Sequence, residues 1–432
     1  MRHKMANIKS IVVNGLCTQC GTCIAVCPFD AISLYQHKSR GLLPKVDDNL
    51  CTQCGKCVEV CPGQSVDLAQ LQQEFFGQTA KDELFGNYIE IFSGYSTVPE
   101  IRYNGASGGI VTTILISLLK KGEIDGALVV RMSQKRPLEP EVFIARTEEE
   151  LISAQQSKYL PVPMNLGLKE IIKDKNGKYA IVGLPCHFHG LRLVEKKNPN
   201  LKNKILLRIG LLCGFNPTLS STKFLLRRAG VKNFEDVKEI KYRDGDWPCG
   251  FRAILKDGTD RFLYPIEQFL FSHYVFERHR CAMCLDHTCE LADISVGDEW
   301  RAKLKKDAGG WSYLIVRTKI GKEIVEKFAK ERLLYLEPID SSVIYGGQYG
   351  SLNFKKKGSF AFAKIRRLFN KQVPDYLKNG KVKPKLAHYI GASLIYIMTT
   401  FFEIDFFNRL FLHVPTKIFT KYRWLVIRLF RN

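Results

Sequence analysis

Residues 17–32 read CTQCGTCIAVCPFDAI, and residues 51–66 read CTQCGKCVEVCPGQSV. Few features narrow a fold as far as this repeat, because eight thiols at such intervals must close around something. Each copy is C-x2-C-x2-C-x3-C-P: Cys17, Cys20, Cys23, Cys27 and Pro28, then Cys51, Cys54, Cys57, Cys61 and Pro62. Three cysteines two residues apart wrap one loop around three corners of a 4Fe–4S cubane. The fourth ligates the cluster of the other copy. The spacing therefore assigns Cys17, Cys20, Cys23 and Cys61 to one cluster, and Cys51, Cys54, Cys57 and Cys27 to the other. Gly21 and Gly55 allow the ligand loops to bend close to their clusters. Pro28 and Pro62 end those loops, and short extended pieces, AISLY and SVDLA, are expected after them. Zinc sites pair one C-x2-C with a distant second pair, and a third cysteine two residues on plus Cys-Pro departs from that pattern.

The chain has 432 residues and 14 cysteines. Disulfide scaffolds with that many cysteines are short and secreted. The start, MRHKMANIKSIVVNG, has no apolar run before a cleavage site, so no secretory leader is expected. A reducing cytoplasm, where clustered thiols mean metal or redox chemistry, is the expected location. Residues 8–70 resemble bacterial two-cluster ferredoxins, which implies a one-electron relay.

Beyond residue 82 apolar runs alternate with helical patterns. Gly109–Gly122 carries apolar residues at 110, 111, 114, 115, 118 and 119, one helix face. Gly126–Arg131, Tyr179–Cys186 and Lys204–Gly214 read as buried strands, the last two ending near a cysteine. VKEIKYRDGDWPCGFRAILKDGTDRFLYP reads as antiparallel strands turned at Asp257-Gly258. No G-x-G-x-x-G follows a strand, so a Rossmann nucleotide site is not supported. Three stretches carry chemistry. RYNGASGGIVTT (102–113) places Ser107, Gly108 and Gly109 at a helix start, suited to phosphate or simply to an N-cap by Ser107. QSKYLPVP (156–163) places Lys158 and Tyr159 before a proline-stiffened loop, as contacts for an anionic or aromatic ligand or as a solvated lysine beside a packed tyrosine. Cys186 and Cys213 at strand ends, with the C-x2-C pair Cys281 and Cys284, can form a third four-thiolate site. Cys289 and Cys249 are further candidates, and zinc is the minority alternative there. His187 and His189 flank Cys186 as packing residues or outer-shell partners.

The stretches RYNGASGGIVTTILISLLKKGEIDGALVV, ARTEEELISAQQSKYLPVPMN, GLPCHFHGL, YRDGDWPCGF and CAMCLDHTCELADISVGDEW occur in that order. Over residues 8–350 the chain resembles the coenzyme F(420) hydrogenase/dehydrogenase beta-subunit family, in its subgroup with an N-terminal two-cluster ferredoxin domain. The resemblance implies a flavoprotein containing FAD and a cluster of its own. It implies cluster ligation by Cys186, Cys213, Cys281 and Cys284. It also implies flavin contacts at Asn104, Ser107, Gly108, Gly109, Thr112, Ser157, Lys158 and Tyr159. Two positions depart from it: Cys289 stands where a small residue is expected, and Cys249 where a glycine is.

The expected architecture is α+β and α/β. A small bacterial-type two-cluster ferredoxin domain (1–75) is followed by a mixed α/β flavin-binding body (76–352) and a basic helical C-terminal tail (353–432). The expected function is electron passage between a one-electron donor, ferredoxin or a partner subunit, and a two-electron acceptor, foremost coenzyme F(420). The route runs through two 4Fe–4S clusters, a third 4Fe–4S cluster and FAD, because a flavin converts single electrons to hydrides. Arg102, Lys158, Arg192 and Arg243 are candidates to hold an anionic acceptor. The alternatives are reduction of another organic substrate, such as a polysaccharide precursor or a chlorin, and a non-catalytic electron-transfer subunit.

The chain carries 65 Lys and Arg against 43 Asp and Glu, a net +22; residues 353–432 hold 17 against 3. The excess is thus local to the tail. There FFEIDFFNRLFLHVPTKIFTKYRWLVIRLFRN mixes aromatics with cations, and two amphipathic helices broken near Pro415 are expected. The longest apolar run, Tyr389–Phe402, falls short of the ~18 residues a spanning helix needs. The tail suits the surface of an anionic bilayer at the inner face of the cell membrane, or a docking helix on the body. The basic run belongs to no nucleic-acid reading module, so a nucleic-acid partner is not expected.

Overall fold

The computed structural model describes residues 7–265, 274–301, 306–378 and 382–431. Residues 1–6, at the start of the expected ferredoxin domain, and residues 379–381, within the expected tail, lie outside the described residues.

In the head, both ligand loops turn on a left-handed glycine and run into one helical turn. Gly21 (φ 83) precedes the helix Thr22–Ala25, and Gly55 (φ 76) precedes Lys56–Glu59. After the first loop the chain extends, as AISLY predicts, into β1 (Ile32–His37), which pairs antiparallel with β2 (Gly41–Val46). After the second loop it does not. SVDLA is expected as extended, but Asp67 accepts from Gln70 N and caps a helix over Leu68–Phe76, and a capping carboxylate outweighs weak strand propensity. The internal repeat is therefore broken on its C-terminal side.

The body is built on eight strands in the order β13-β3-β12-β11-β7-β6-β4-β5. They are β3 (Glu90–Ser96), β4 (Gly126–Met132), β5 (Pro140–Ala145), β6 (Tyr179–Gly183), β7 (Ile205–Leu211), β11 (Ile294–Asp298), β12 (Ser312–Val316) and β13 (Leu334–Pro338). The central strands β4, β6, β7 and β11 are parallel, and the outer pairings are antiparallel. Apolar side chains cover both faces, as a parallel sheet requires. On one face the helices Ile110–Lys120 and Lys319–Lys330 set Ile114, Leu118, Ile324 and Phe328 against Leu207, Ile209 and Leu314. On the other, the helix Pro185–Lys197 sets Phe188, Leu191 and Val194 against Leu128, Ile181 and Ile205, with Val60, Val66 and Leu71 of the head in the same cluster. The head is thus part of the body's second helical layer.

A smaller antiparallel sheet, β8 (Val237–Asp244), β9 (Gly250–Leu255) and β10 (Asp260–Leu263), turns between β9 and β10 at the left-handed Gly258 (φ 86). The C-terminal helices Leu386–Phe402 and Thr416–Leu429 lie on either side of Pro415. Their inner faces share a cluster with Ile8, Ile11 and Leu16 of the head, where Phe354, Phe362 and Phe430 are almost wholly buried. Each such phenylalanine contributes roughly 2–3 kcal/mol by burial, so the tail is packed into the fold.

Candidate metal centres

The structure gathers the eight head thiols around two pockets. Cys17, Cys20, Cys23 and Cys61 line one, whose other walls include Ile8, Ile11, Ile24, Leu34 and Leu42. Cys27, Cys51, Cys54 and Cys57 line the second, with Ala31 and Ile32. Each pocket takes three cysteines from one copy and the fourth from the other. Among the described residues no three His, Cys, Asp or Glu side chains converge closely enough to hold a single ion. Thiols set around an apolar pocket fit a cluster with several corners. Backbone and hydroxyl groups approach the sulfurs, with Gln19 N 3.3 Å from Cys17 Sγ and Thr22 Oγ1 3.1 Å from Cys20 Sγ. Burial, then the neighbouring thiols, pushes Cys17 up to about 11 and Cys61 up to about 12.

The first pocket faces the body. A Cβ on Gly21 would stand 2.7 Å from Pro163 O, and one on Gly190 would stand 2.2 Å from Thr22 Oγ1. Asn165 completes the seam: its N donates to Cys20 O at 2.8 Å, and its Nδ2 donates to Thr22 Oγ1 and His187 O, both at 2.8 Å. Gly190 lies one helical turn beyond Cys186, so this close approach brings the Cys20 loop to the start of the Cys186 helix.

Cys186 and Cys213 follow β6 and β7, at the carboxyl edge where α/β sheets gather their sites. Cys186 sits in the first turn of the helix Pro185–Lys197 rather than at a strand end, because Pro185 starts that helix at its first position. Cys281 lies in the short helix His279–Ala282, and Cys284 follows it. Cys186 lies within the electrostatic reach of Cys20, Cys213 and Cys281, and Cys213 within that of Cys281 and Cys284. Burial raises the Cys186 thiol well above its ordinary value and pushes Cys213 up to about 12. Cys281 goes the other way: burial opposes ionisation, but Arg278, Lys355, the bond at Asn216 and Arg280 together hold the thiol below its ordinary value. His287, 2% exposed, lies against the Cys213 backbone, and its carbonyl accepts from Cys213 N. Four thiols and two cations fit a thiolate-bound cluster.

Arg278 joins the head to this site. Buried to 7% exposure, it donates to Thr18 O at 2.7 Å and Gln19 Oε1 at 2.6 Å on the head, and to Asn216 O at 3.2 Å on the body. Its charge is felt by Cys17 on one side and by Cys186, Cys213 and Cys281 on the other. Arg280 donates to Gly63 O and Pro62 O, beside Cys61. Lys355 donates to Cys281 O. Reading the sequence passed over all three, although the run ERHRC ending at Cys281 was the available signal for Arg278 and Arg280.

Of the outlying cysteines, Cys289 lies within the electrostatic reach of Cys213 and Cys186, and Cys249 does not reach the third set. Cys289 is fully buried in the left-handed region (φ 59) and packs on β7, where a Cβ on Gly210 would stand 2.5 Å from its own. Cys249 has φ 66, a conformation that favours glycine, which accounts for the glycine expected there. Its neighbours are Arg243 and Ala106 O rather than other cysteines.

The glycine-rich and Ser-Lys-Tyr stretches meet through Arg243, which donates to Ala106 O at 2.6 Å and Tyr159 Oη at 3.0 Å and pairs with Asp298 at 2.7 Å. Asp298 ends β11, again at the carboxyl edge. Ser107 does not cap the helix. Gly109 holds the N-cap position, and Ser107 Oγ donates to Trp311 O. The glycines serve close protein packing, since a Cβ on Gly109 would stand 2.7 Å from Ile101 O. Asn104 Nδ2 donates to Glu100 O, while Ser107, Thr112 and Ser157 remain half-buried at this seam. Lys158 is neither solvated nor turned to a ligand: Nζ donates to the carbonyls of Ala154, Gln155 and Gln156, and burial pushes it down to about 7. Trp247, 5% exposed and packed against Gly310, leaves its indole N–H without a partner among the described residues. The orphaned indole N–H of Trp247 and the half-buried Thr112 are what this seam offers a planar polar cofactor.

Of the four cations considered for an anionic acceptor, Arg192 is excluded. It is buried against Glu195 and Leu291 O, in a network with Arg208 and Asp293. Arg102 pairs with Asp307 and covers the Tyr95 ring at 3.5 Å.

Sequence profiles of the coenzyme F(420) hydrogenase/dehydrogenase beta subunit match residues 91–169 (N-terminal part) and 176–342 (C terminus), and a 4Fe–4S dicluster domain matches residues 16–65. The chain is 30% identical over 279 residues to the beta subunit of the coenzyme F(420) hydrogenase of Methanothermobacter thermautotrophicus, covering 63% of this chain and 93% of that one. It is 27% identical over 364 residues to one of the subunits of the F(420)H(2) dehydrogenase of Methanosarcina mazei, covering 82% and 92%. A chain in the F(420)-reducing nickel–iron hydrogenase complex from Methanosarcina barkeri shares the fold, with a TM-score of 0.53 at 24% identity, over 69% of this chain and 99% of that one.

Proposed function

This chain belongs to the coenzyme F(420) hydrogenase/dehydrogenase beta-subunit family, and on that premise we propose that it passes electrons between a one-electron protein donor and a two-electron organic acceptor, with coenzyme F(420) the acceptor we favour. It is an iron–sulfur oxidoreductase subunit with a 4Fe–4S dicluster domain. In this reading Cys17, Cys20, Cys23 and Cys61 hold one cluster, Cys27, Cys51, Cys54 and Cys57 a second, and Cys186, Cys213, Cys281 and Cys284 a third. FAD is held along the seam of Asn104, Ser107–Gly109, Thr112, Ser157 and Tyr159, with Lys158 turned inward to its own backbone. When bound, clusters carry single electrons and a flavin exchanges either one electron or a hydride.

The observation that carries the reading is the approach of the Cys20 loop to the Cys186 helix, with Arg278 bonded to the head and charged toward both sets of thiols. The chain's own residues do three things there. The apolar walls of the inner pocket exclude water. Arg278, Arg280 and Lys355 place positive charge beside thiolates that burial would otherwise protonate. Arg243 holds the two seam stretches together, so that a cofactor in the seam has fixed walls. The division into head (1–75), body (76–352) and tail (353–432) belongs to the same reading.

Anaerobic purification with iron, sulfide and flavin analysis tests it. About twelve irons and one FAD per chain are expected from three cubanes and one flavin. Eight irons would remove the third site, and a preparation without flavin would remove the seam. Reduction of coenzyme F(420) by reduced ferredoxin with the isolated chain separates an enzyme from a subunit that only conducts.

A further inference from the structure

We propose that the outer faces of the two C-terminal helices form a docking face for the surface of an anionic bilayer. Of 22 large apolar residues exposed among the described residues, ten lie from Leu386 onward, in about a ninth of the chain. They are ordered. On the helix Leu386–Phe402 the exposed positions 386, 390, 397, 400 and 401 form one stripe, occupied by Leu, Ile, Ile, Thr and Phe. No Asp, Glu, Lys or Arg occurs in those 17 residues, whereas the outer face of a surface helix is ordinarily charged. On Thr416–Leu429 the exposed stripe is Lys417, Ile418, Lys421, Trp424, Leu425 and Arg428. Cations thus alternate with apolar groups, and no acid occurs on that helix.

This composition selects its occupant. Lipid headgroup phosphates match the cations, whose stems can extend along the acyl boundary. The boundary itself matches Ile418, Trp424 and Leu425, and tryptophan prefers that depth. The face lies on a membrane rather than crossing it. Ile395 and Phe402 on the first helix, and Val426 and Ile427 on the second, are buried in the protein core. No single described helix is long and apolar enough to cross, and Leu386–Phe402 meets the next helical stretch at 94°.

The test is co-sedimentation of the full holoprotein with phosphatidylglycerol-containing vesicles and with pure phosphatidylcholine vesicles, at low and high salt. Two surface variants, Trp424→Ser/Leu425→Ser and Lys417→Ser/Lys421→Ser, are compared, with iron content as the check of folding. Binding to the anionic vesicles at low salt is expected, about tenfold weaker on neutral vesicles or in the lysine variant, and lost in the tryptophan–leucine variant. Equal binding to both lipids, or wild-type binding by both variants, would overturn the proposal. So would a wild-type protein that ignores vesicles, including one that forms an oligomer abolished by the tryptophan–leucine variant, because the face would then meet protein.

Discussion

The two halves of the head share a motif and occupy different worlds. In the first copy Thr18, Gln19 and Cys20 are buried; in the second the same three residue types, Thr52, Gln53 and Cys54, are exposed. Gly21 is pressed against Pro163 O, while a Cβ on Gly55 would meet nothing within 4 Å. The inner set is flanked by Arg278 and Arg280, bonded to its own loops. Identical ligand spacing therefore leaves function undecided between the copies, and what packs around each loop assigns it. The outer set is exposed at the surface of the head, and the inner set lies against the body.

The widest gap should appear when each set is broken in turn. Cys20→Ser and Cys54→Ser are each expected to remove about four irons. The outer variant should still pass electrons from a small chemical reductant to the body. The inner variant should lose that transfer by orders of magnitude in stopped-flow reduction. Equal behaviour of the two would erase the distinction between the outer and inner sets.

Next comes the charge. Arg278→Gln removes a buried positive charge near the inner and third sets. At an effective dielectric of about 20 this is worth a few kcal/mol, or a fall of about 100 mV in their potentials. The outer set should move far less, since Arg278 is bonded to Thr18 O and Gln19 Oε1 of the first copy. A redox titration followed by EPR reads all three.

Smaller effects lie in stability. Gln19 donates to Arg40 O and Leu42 O and accepts from Arg278, so Gln19→Ala should cost about 2–4 kcal/mol. Gln53→Ala, on the exposed copy, should stay within about 0.5 kcal/mol. Gly21→Ala and Gly55→Ala share a left-handed penalty of roughly 1–2 kcal/mol. Only Gly21→Ala adds a clash, so it should be the worse of the two by about 1–3 kcal/mol in denaturant unfolding.

Much of this was legible in the residues. The cysteine spacing carried both head sets, and apolar periodicity carried the helix Ile110–Lys120 and the strands β4, β6 and β7. What escaped was set by long-range packing. Asp67 turned an expected strand into a helix through a local cap. Lys158 looked like a ligand contact until its three backbone acceptors appeared, and Arg192 until Glu195 did. Arg278 was invisible as a link because its partners, Thr18 and Gln19, lie some 260 positions away in sequence. The tail's outer faces were apparent as composition, but their inner faces, packed on Ile8 and Ile11, were not.

The adjacency of the inner and third sets is tested most directly by low-temperature EPR of the fully reduced holoprotein, with and without the Cys281→Ala/Cys284→Ala substitution. The account predicts a spectrum of magnetically interacting centres from which one interaction disappears in the variant, while the coupling within the head persists. A wild-type sample carrying about twelve irons whose spectrum is the plain sum of isolated signals would contradict it.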